Sequence, residues 1–212
     1  MDRNLGATSA TPGEAGALGL LYQWGRKDPF LGSSSISSNV EAKSTISWPT
    51  PVSSSSSRGT IGYALEHPTT FITFNNSNYD WYYTGSLSTD NTRWQSEKTI
   101  YDPCPAGWRV PDGGGNGVWN KAGFDDLSYD SSNEGMLFGS GISSPSTWYP
   151  ASGFRNINNG LLYRVGDNGR YWSVTPNAAG NAYSLYFYDN GSVSPANSDD
   201  RALGLSVRCL QE

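Results

Sequence analysis

After residue 145 the sequence breaks into short runs rich in Val, Tyr, Phe and Trp, punctuated by Asn, Asp and Gly, and this punctuation limits the fold more than any other feature. Thr147–Phe154, Leu161–Val165, Arg170–Thr175, Ala182–Tyr188, Gly191–Pro195 and Gly204–Leu210 all have strand length. The residues between them tolerate positive φ, which tight hairpin turns require. The C-terminal third is therefore expected to form hairpins in a compact antiparallel sheet.

The earlier part of the chain reads differently. Residues 1–8 suit a short strand, ended by Pro12 and Gly13. Glu14–Trp24 places Ala17, Leu18, Leu21 and Trp24 at helical spacing with an acid in the first turn, which predicts a helix stopped before Pro29. Residues 33–60 are Ser-rich and aperiodic, with an unbroken run over Ser53–Ser57, and read as a surface excursion. Thr69–Tyr83 is dense in aromatics and fits either coil packed by its rings or short strands. Asp102–Gly107 is a tight-turn cluster, and Gly117–Phe124 predicts a second short helix with Trp119 inward. With no fixed-period repeat and no dividing linker, residues 1–212 read as a single domain.

Composition narrows the partners. Aromatic residues make up 13% of the chain and charged residues 16%, the reverse of a disordered segment, so a core is available. Trp108, Trp119 and Trp148 are expected in it, with one of Tyr171 and Trp172. A net charge of -5 argues against nucleic-acid and anionic-membrane partners. No stretch approaches the ~20 apolar residues of a membrane span, so no direct membrane insertion is expected. Met1–Ala7 already reads as structured protein, so the protein is either cytoplasmic or the chain starts downstream of an export signal; the second is the favoured expectation, because the chain reads as starting in mid-strand.

Catalytic constellations are missing. The single histidine, His67, sits in a Leu-Glu-His-Pro turn, and no G-x-S-x-G elbow or H-E-x-x-H pair occurs. Gly113–Gly117 lacks the Lys-Ser/Thr of a phosphate loop and reads as a flexible turn. Asp125–Asp126 and Asp199–Asp200 are adjacent acids, poorly suited to attack one glycosidic bond from two sides. No cofactor is expected, and calcium alone is left open, with Asp112, Asn116, Asp125 and Asp126 as its oxygen donors. Cys104 and Cys209 are either two buried thiols or one bridge, and a bridge closing a loop of about 100 residues would contribute about 4–5 kcal/mol.

Several segments in order carry a resemblance. Met1–Ala7 (MDRNLGA), Leu21–Arg26 (LYQWGR), Asp102–Asp112 (DPCPAGWRVPD), Tyr171–Pro176 (YWSVTP), Ala182–Phe187 (AYSLYF) and Leu205–Cys209 (LSVRC) resemble the Fibrobacter succinogenes major paralogous domain family. That family is similar to the C-type-lectin and formylglycine-generating-enzyme folds and to the variable proteins of diversity-generating retroelements in Bacteroidetes. The resemblance implies an α+β, C-type-lectin-like fold: two helices (Glu14–Trp24 and Gly117–Phe124), a small twisted antiparallel sheet and long irregular loops. It also implies that the first and last strands lie together and that Cys104 and Cys209 pair. The thiol chemistry of the enzyme branch needs two closely spaced cysteines, and Cys209 has no such neighbour. The chain is therefore expected not to be an enzyme.

The resemblance implies an exported cell-surface protein, often a lipoprotein, whose loops over about residues 150–212 bind a glycan or a surface protein in adhesion or recognition. The candidate ligand-binding residues are Arg155, Asn156, Asn158, Asn168, Arg170, Asn177, Asn181, Tyr188, Asp189, Asn190, Asn197, Asp199 and Asp200. Tyr and Arg offer large planar contacts, and Asn and Asp offer adaptable hydrogen bonds. Ordinary turn chemistry accounts for a single Asn equally well. The alternatives are a structural subunit of a surface fibre and an oxidase related to the formylglycine-generating enzyme, which would need a reactive thiol.

Overall fold

A computed structural model describes residues 1–36, 50–74, 78–85, 89–123, 126–139 and 147–212. Its main feature is an eight-stranded mixed sheet. The strands are β1 (Leu20–Gln23), β2 (Pro29–Leu31), β3 (Phe154–Arg155), β4 (Leu162–Tyr163), β5 (Asn168–Pro176), β6 (Asn181–Tyr188), β7 (Val193–Asp200) and β8 (Gly204–Ser206). The order runs β4-β3-β8-β5-β6-β7, and β1 joins β8 while carrying β2 on its other edge. Most pairings are antiparallel, but β5 and β8 run parallel through Tyr171 and Ser206.

The α+β, C-type-lectin-like expectation is corrected here. Among the described residues 33% are strand and 9% helix, and the two α-helices there, Ile61–Glu66 and Val118–Ala122, are short. Over Glu14–Trp24 only a 3₁₀ turn at Ala15–Ala17 forms, followed by β1. Glycine decides this. Gly19 adopts φ +72°, and a Cβ there would lie 2.7 Å from the Asn4 Cβ and 2.9 Å from the Leu5 carbonyl oxygen. Beyond that turn, Leu20–Gln23 is flanked by strands on both edges, and Leu21 and Tyr22 are both buried. A continuous apolar run fits that setting as well as a helix face.

Residues 1–8 form no strand. They run beside the C-terminus through Met1 N to the Cys209 carbonyl oxygen (2.6 Å) and Leu5 N to the Val207 carbonyl oxygen (2.8 Å). The expected strand Gly204–Leu210 divides into β8 and a separate Leu210–Gln211 pairing with Trp108–Arg109. The helix at Ile61–Glu66, just past the Ser-rich region, is capped by Thr60, whose hydroxyl accepts from Tyr63 N at 3.1 Å.

The sheet is packed on both faces, so Tyr171 and Trp172 are both core rather than one of them. Alternation along β5 sends Trp172 into a cluster with Tyr22, Trp24, Trp94, Leu205 and the two cysteines. It sends Tyr171 to the opposite side, against Trp119, Met136, Leu185 and Phe187. Trp108 and Trp148 are only partly buried. A buried ionic group completes the interior. Asp80 accepts from Arg93 and lies 3.6 Å from Arg201, and both guanidinium groups sit over the Trp24 ring, at 5.2 and 4.0 Å. Asp80, Arg93 and Arg201 are sealed from solvent, which makes them scaffold.

Candidate functional site

Alternation on β5 puts Asn168, Arg170 and Trp172 on one face, opposite Tyr188, Tyr186 and Ser184 of β6. Trp172 goes into the core, whereas Arg170 emerges at the open end of the same face. Phe154 of β3 stands on its other side and pairs with Tyr163 of β4. The result is a stripe across the sheet, Tyr163–Phe154–Arg170–Tyr186–Tyr188, in which every member is half-buried.

The contacts along it are continuous. Phe154 and Tyr163 stack with centroids 6.0 Å apart, the Arg170 guanidinium lies 4.2 Å from the Phe154 ring and 4.7 Å from the Tyr186 ring, and Tyr186 meets Tyr188 edge-on at 4.6 Å. A guanidinium held between two rings gains cation–π attraction on both sides.

A polar support fixes the arginine. Its Nη1 donates to Asp199 Oδ1 at 2.7 Å and its Nε to Asn168 Oδ1 at 3.0 Å. Asp199 Oδ2 accepts from Ser184 Oγ at 2.6 Å and from Asn197 Nδ2 at 3.0 Å. Burial, with the Tyr188 hydroxyl bonded to it, pushes the Tyr186 phenol up to about 12, so it stays protonated through the physiological range. Next to this support, burial raises the Asp200 carboxyl above its ordinary value, and the Asp199 charge adds to the effect.

Five of the thirteen sequence candidates meet here, namely Asn168, Arg170, Tyr188, Asn197 and Asp199. Asn168 and Asp199 are buried and hold Arg170 by hydrogen bonds. Arg155 is the clearest correction. It is 2% exposed, donates to the Leu31 carbonyl oxygen at 2.9 and 2.7 Å and to the Gly160 carbonyl oxygen at 2.5 Å, and so ties β3 to β2. Polar type alone had placed it at the surface.

The other candidates are dispersed. Asn156 Oδ1 accepts from the Asn158 backbone at 2.8 Å in the β3–β4 turn. Asn177 sits in the exposed β5–β6 turn, with Asn181 bonded to Asp200 at 2.7 Å beside it. Asp189 and Asn190 lie in the exposed β6–β7 turn. The eight residues of β6 hold those two turns roughly 26 Å apart, so they form no single loop face. Phe154, Tyr163 and Tyr186 were missed. The signal for Tyr186 was its period-2 spacing with Tyr188, whereas the neighbours of Phe154 depend on cross-strand register.

For calcium, both Asp112 oxygens are engaged, Oδ1 by Ser96 Oγ and Oδ2 by Arg109 at 2.7 Å. Asp125 lies outside the described residues. Among the described residues no group of three or more His, Cys, Asp or Glu is arranged to hold a metal ion. Cys104 and Cys209 form a disulfide, so neither sulfur is a thiol. Among the described residues no helix is long and apolar enough to cross a membrane. No family model, curated protein or solved structure matches the chain.

Proposed function

We propose that this chain is a non-catalytic recognition module, exported to the cell surface, whose binding surface is the stripe centred on Arg170. The observation that carries the reading is a cation clamped between Phe154 and Tyr186 on a partly exposed sheet face, flanked by Tyr163 and Tyr188. Tyr and Arg dominate binding hot spots because each offers a large rigid contact with a polar end. Arg170 is fixed by Asp199 and Asn168, so a partner need not order it on binding. A row of aromatic rings around one guanidinium suits a protein epitope first and the ring face of a glycan second. The resemblance of the Asp102–Asp112 and Tyr171–Pro176 segments to the Fibrobacter succinogenes major paralogous domain supports the same reading, as does its link to surface proteins of Bacteroidetes.

The test is an array of bacterial and host surface proteins and glycans, probed with and without calcium. The reading expects a specific hit that Tyr186→Ala weakens at least tenfold while the melting curve stays close to wild type. A folded protein with no hit in either condition would favour a structural role in a surface fibre.

A further inference from the structure

Two open clefts flank the far end of β5, roughly 16 Å from Arg170 at strand rise. One, of ≈ 460 Å³, is walled by Asn91, Trp94, Gln95, Ser96 and Glu97. The other, of ≈ 420 Å³, is walled by Asp112, Gly113–Gly115, Asn116 and Tyr183. Thr175 lines both, and Ser96 of the first donates to Asp112 of the second, so the two volumes abut. Each alone falls within the size range of small-ligand sites.

The glycine run shapes this place. A Cβ on Gly113 would lie 2.2 Å from Ser173 Oγ, and one on Gly114 would lie 3.0 Å from the Tyr183 ring, so the turn packs flat against the sheet. Gly115 and Asn116 are exposed, and a Cβ on Gly115 would meet nothing within 4 Å. What the sequence presented as a flexible turn is a built wall.

We infer that the joined clefts are a second binding site, separate from the stripe, for a short neutral oligosaccharide. The amides of Gln95 and Asn116 donate and accept, the Asn91 amide nitrogen donates while its oxygen is held by Arg201, and the Glu97 carboxylate accepts; the Ser96 hydroxyl, donating to Asp112, accepts, and the Thr175 hydroxyl, accepting from Gly113 N, donates. That mixture matches vicinal hydroxyls, while Tyr183 offers a ring for the apolar face of a sugar. Among the described residues that line them, neither cleft has a Lys or Arg and each has one carboxylate, which disfavours acidic ligands.

The experiment is saturation-transfer NMR with maltotriose, cellotriose and triacetylchitotriose, with trigalacturonate and a Ser/Asn-rich peptide as comparisons, followed by calorimetry on any binder. At least one neutral trisaccharide should bind, and both Tyr183→Ala and Gly115→Phe should raise its Kd at least tenfold. Tyr186→Ala should leave that Kd unchanged, which separates this site from the stripe. Gly115→Phe fills open space without touching the core, so its melting curve should match wild type and its loss of binding cannot be ascribed to unfolding. Failure of all three neutral sugars, equal or tighter binding of trigalacturonate or the peptide, or wild-type affinity in Gly115→Phe would each overturn the inference.

Discussion

Asp199 holds more of the candidate surface than any exposed residue on it. It is 5% exposed and accepts from Arg170, Ser184 and Asn197. Asp199→Ala would leave a largely buried guanidinium unpaired, and stability should fall by about 3 kcal/mol in urea unfolding. A loss below about 1 kcal/mol would show that the support matters less than its geometry implies. Asp200 should behave in the opposite sense. Its pKa is raised by burial, so the folded state holds the proton more tightly than the unfolded one, and stability falls as pH rises from the ordinary carboxyl value through the folded value. Asp200→Asn keeps an acceptor for Asn181 and should be more stable than wild type at pH 7, with the advantage disappearing near pH 3. An equal advantage at both pH values would contradict this.

At the level of elements, β5 and β6 were legible because turn residues separate runs that alternate between faces, whereas β7, expected only as Gly191–Pro195, runs over Val193–Asp200 through residues read as a loop. Gly169 shows how tightly β5 and β6 pack, since a Cβ there would lie 2.1 Å from the tip of the buried Phe187 ring. Gly169→Ala should therefore cost about 3 kcal/mol from overpacking, and a near-neutral melting curve would mean that the β5–β6 pairing yields more easily than described. Thr60→Ala should cost about 1 kcal/mol through loss of the helix cap, measured the same way. The helix at Ile61–Glu66 was hidden by its serine-rich setting, although Thr60 before Ile61 and Ala64 was a usable start signal. Glu14–Trp24 was misread because apolar residues at helical spacing also make a strand buried on both faces, and only the φ of Gly19 separates the two. The stripe around Arg170 was half legible for a related reason. Alternation gives a side chain's face, but Phe154 reaches Arg170 through register between strands far apart in sequence.

At the scale of the whole fold, residues 1–5 are tied to residues 207–209. Met1 bonds to Cys209, Leu5 bonds to Val207, and the Cys104–Cys209 disulfide spans 105 residues beside the Trp24–Trp94–Trp172 cluster. Replacing both cysteines with alanine should cost about 4–5 kcal/mol on loop entropy alone, and an unchanged unfolding midpoint would show that the buried aromatics and the Asp80–Arg93–Arg201 group fix the topology by themselves. The claim at the centre of this account is that recognition resides on the sheet face and not at the loop tips. The most direct test is one binding assay, run against the partner found on the surface array, comparing Tyr186→Ala with Tyr188→Ala against the tip changes Asn158→Ala, Asn177→Ala and Asn190→Ala. The account predicts at least a tenfold loss in the stripe variants and less than a threefold change in each tip variant, all with wild-type melting behaviour. The reverse pattern, with tip changes abolishing binding and the stripe silent, would contradict it.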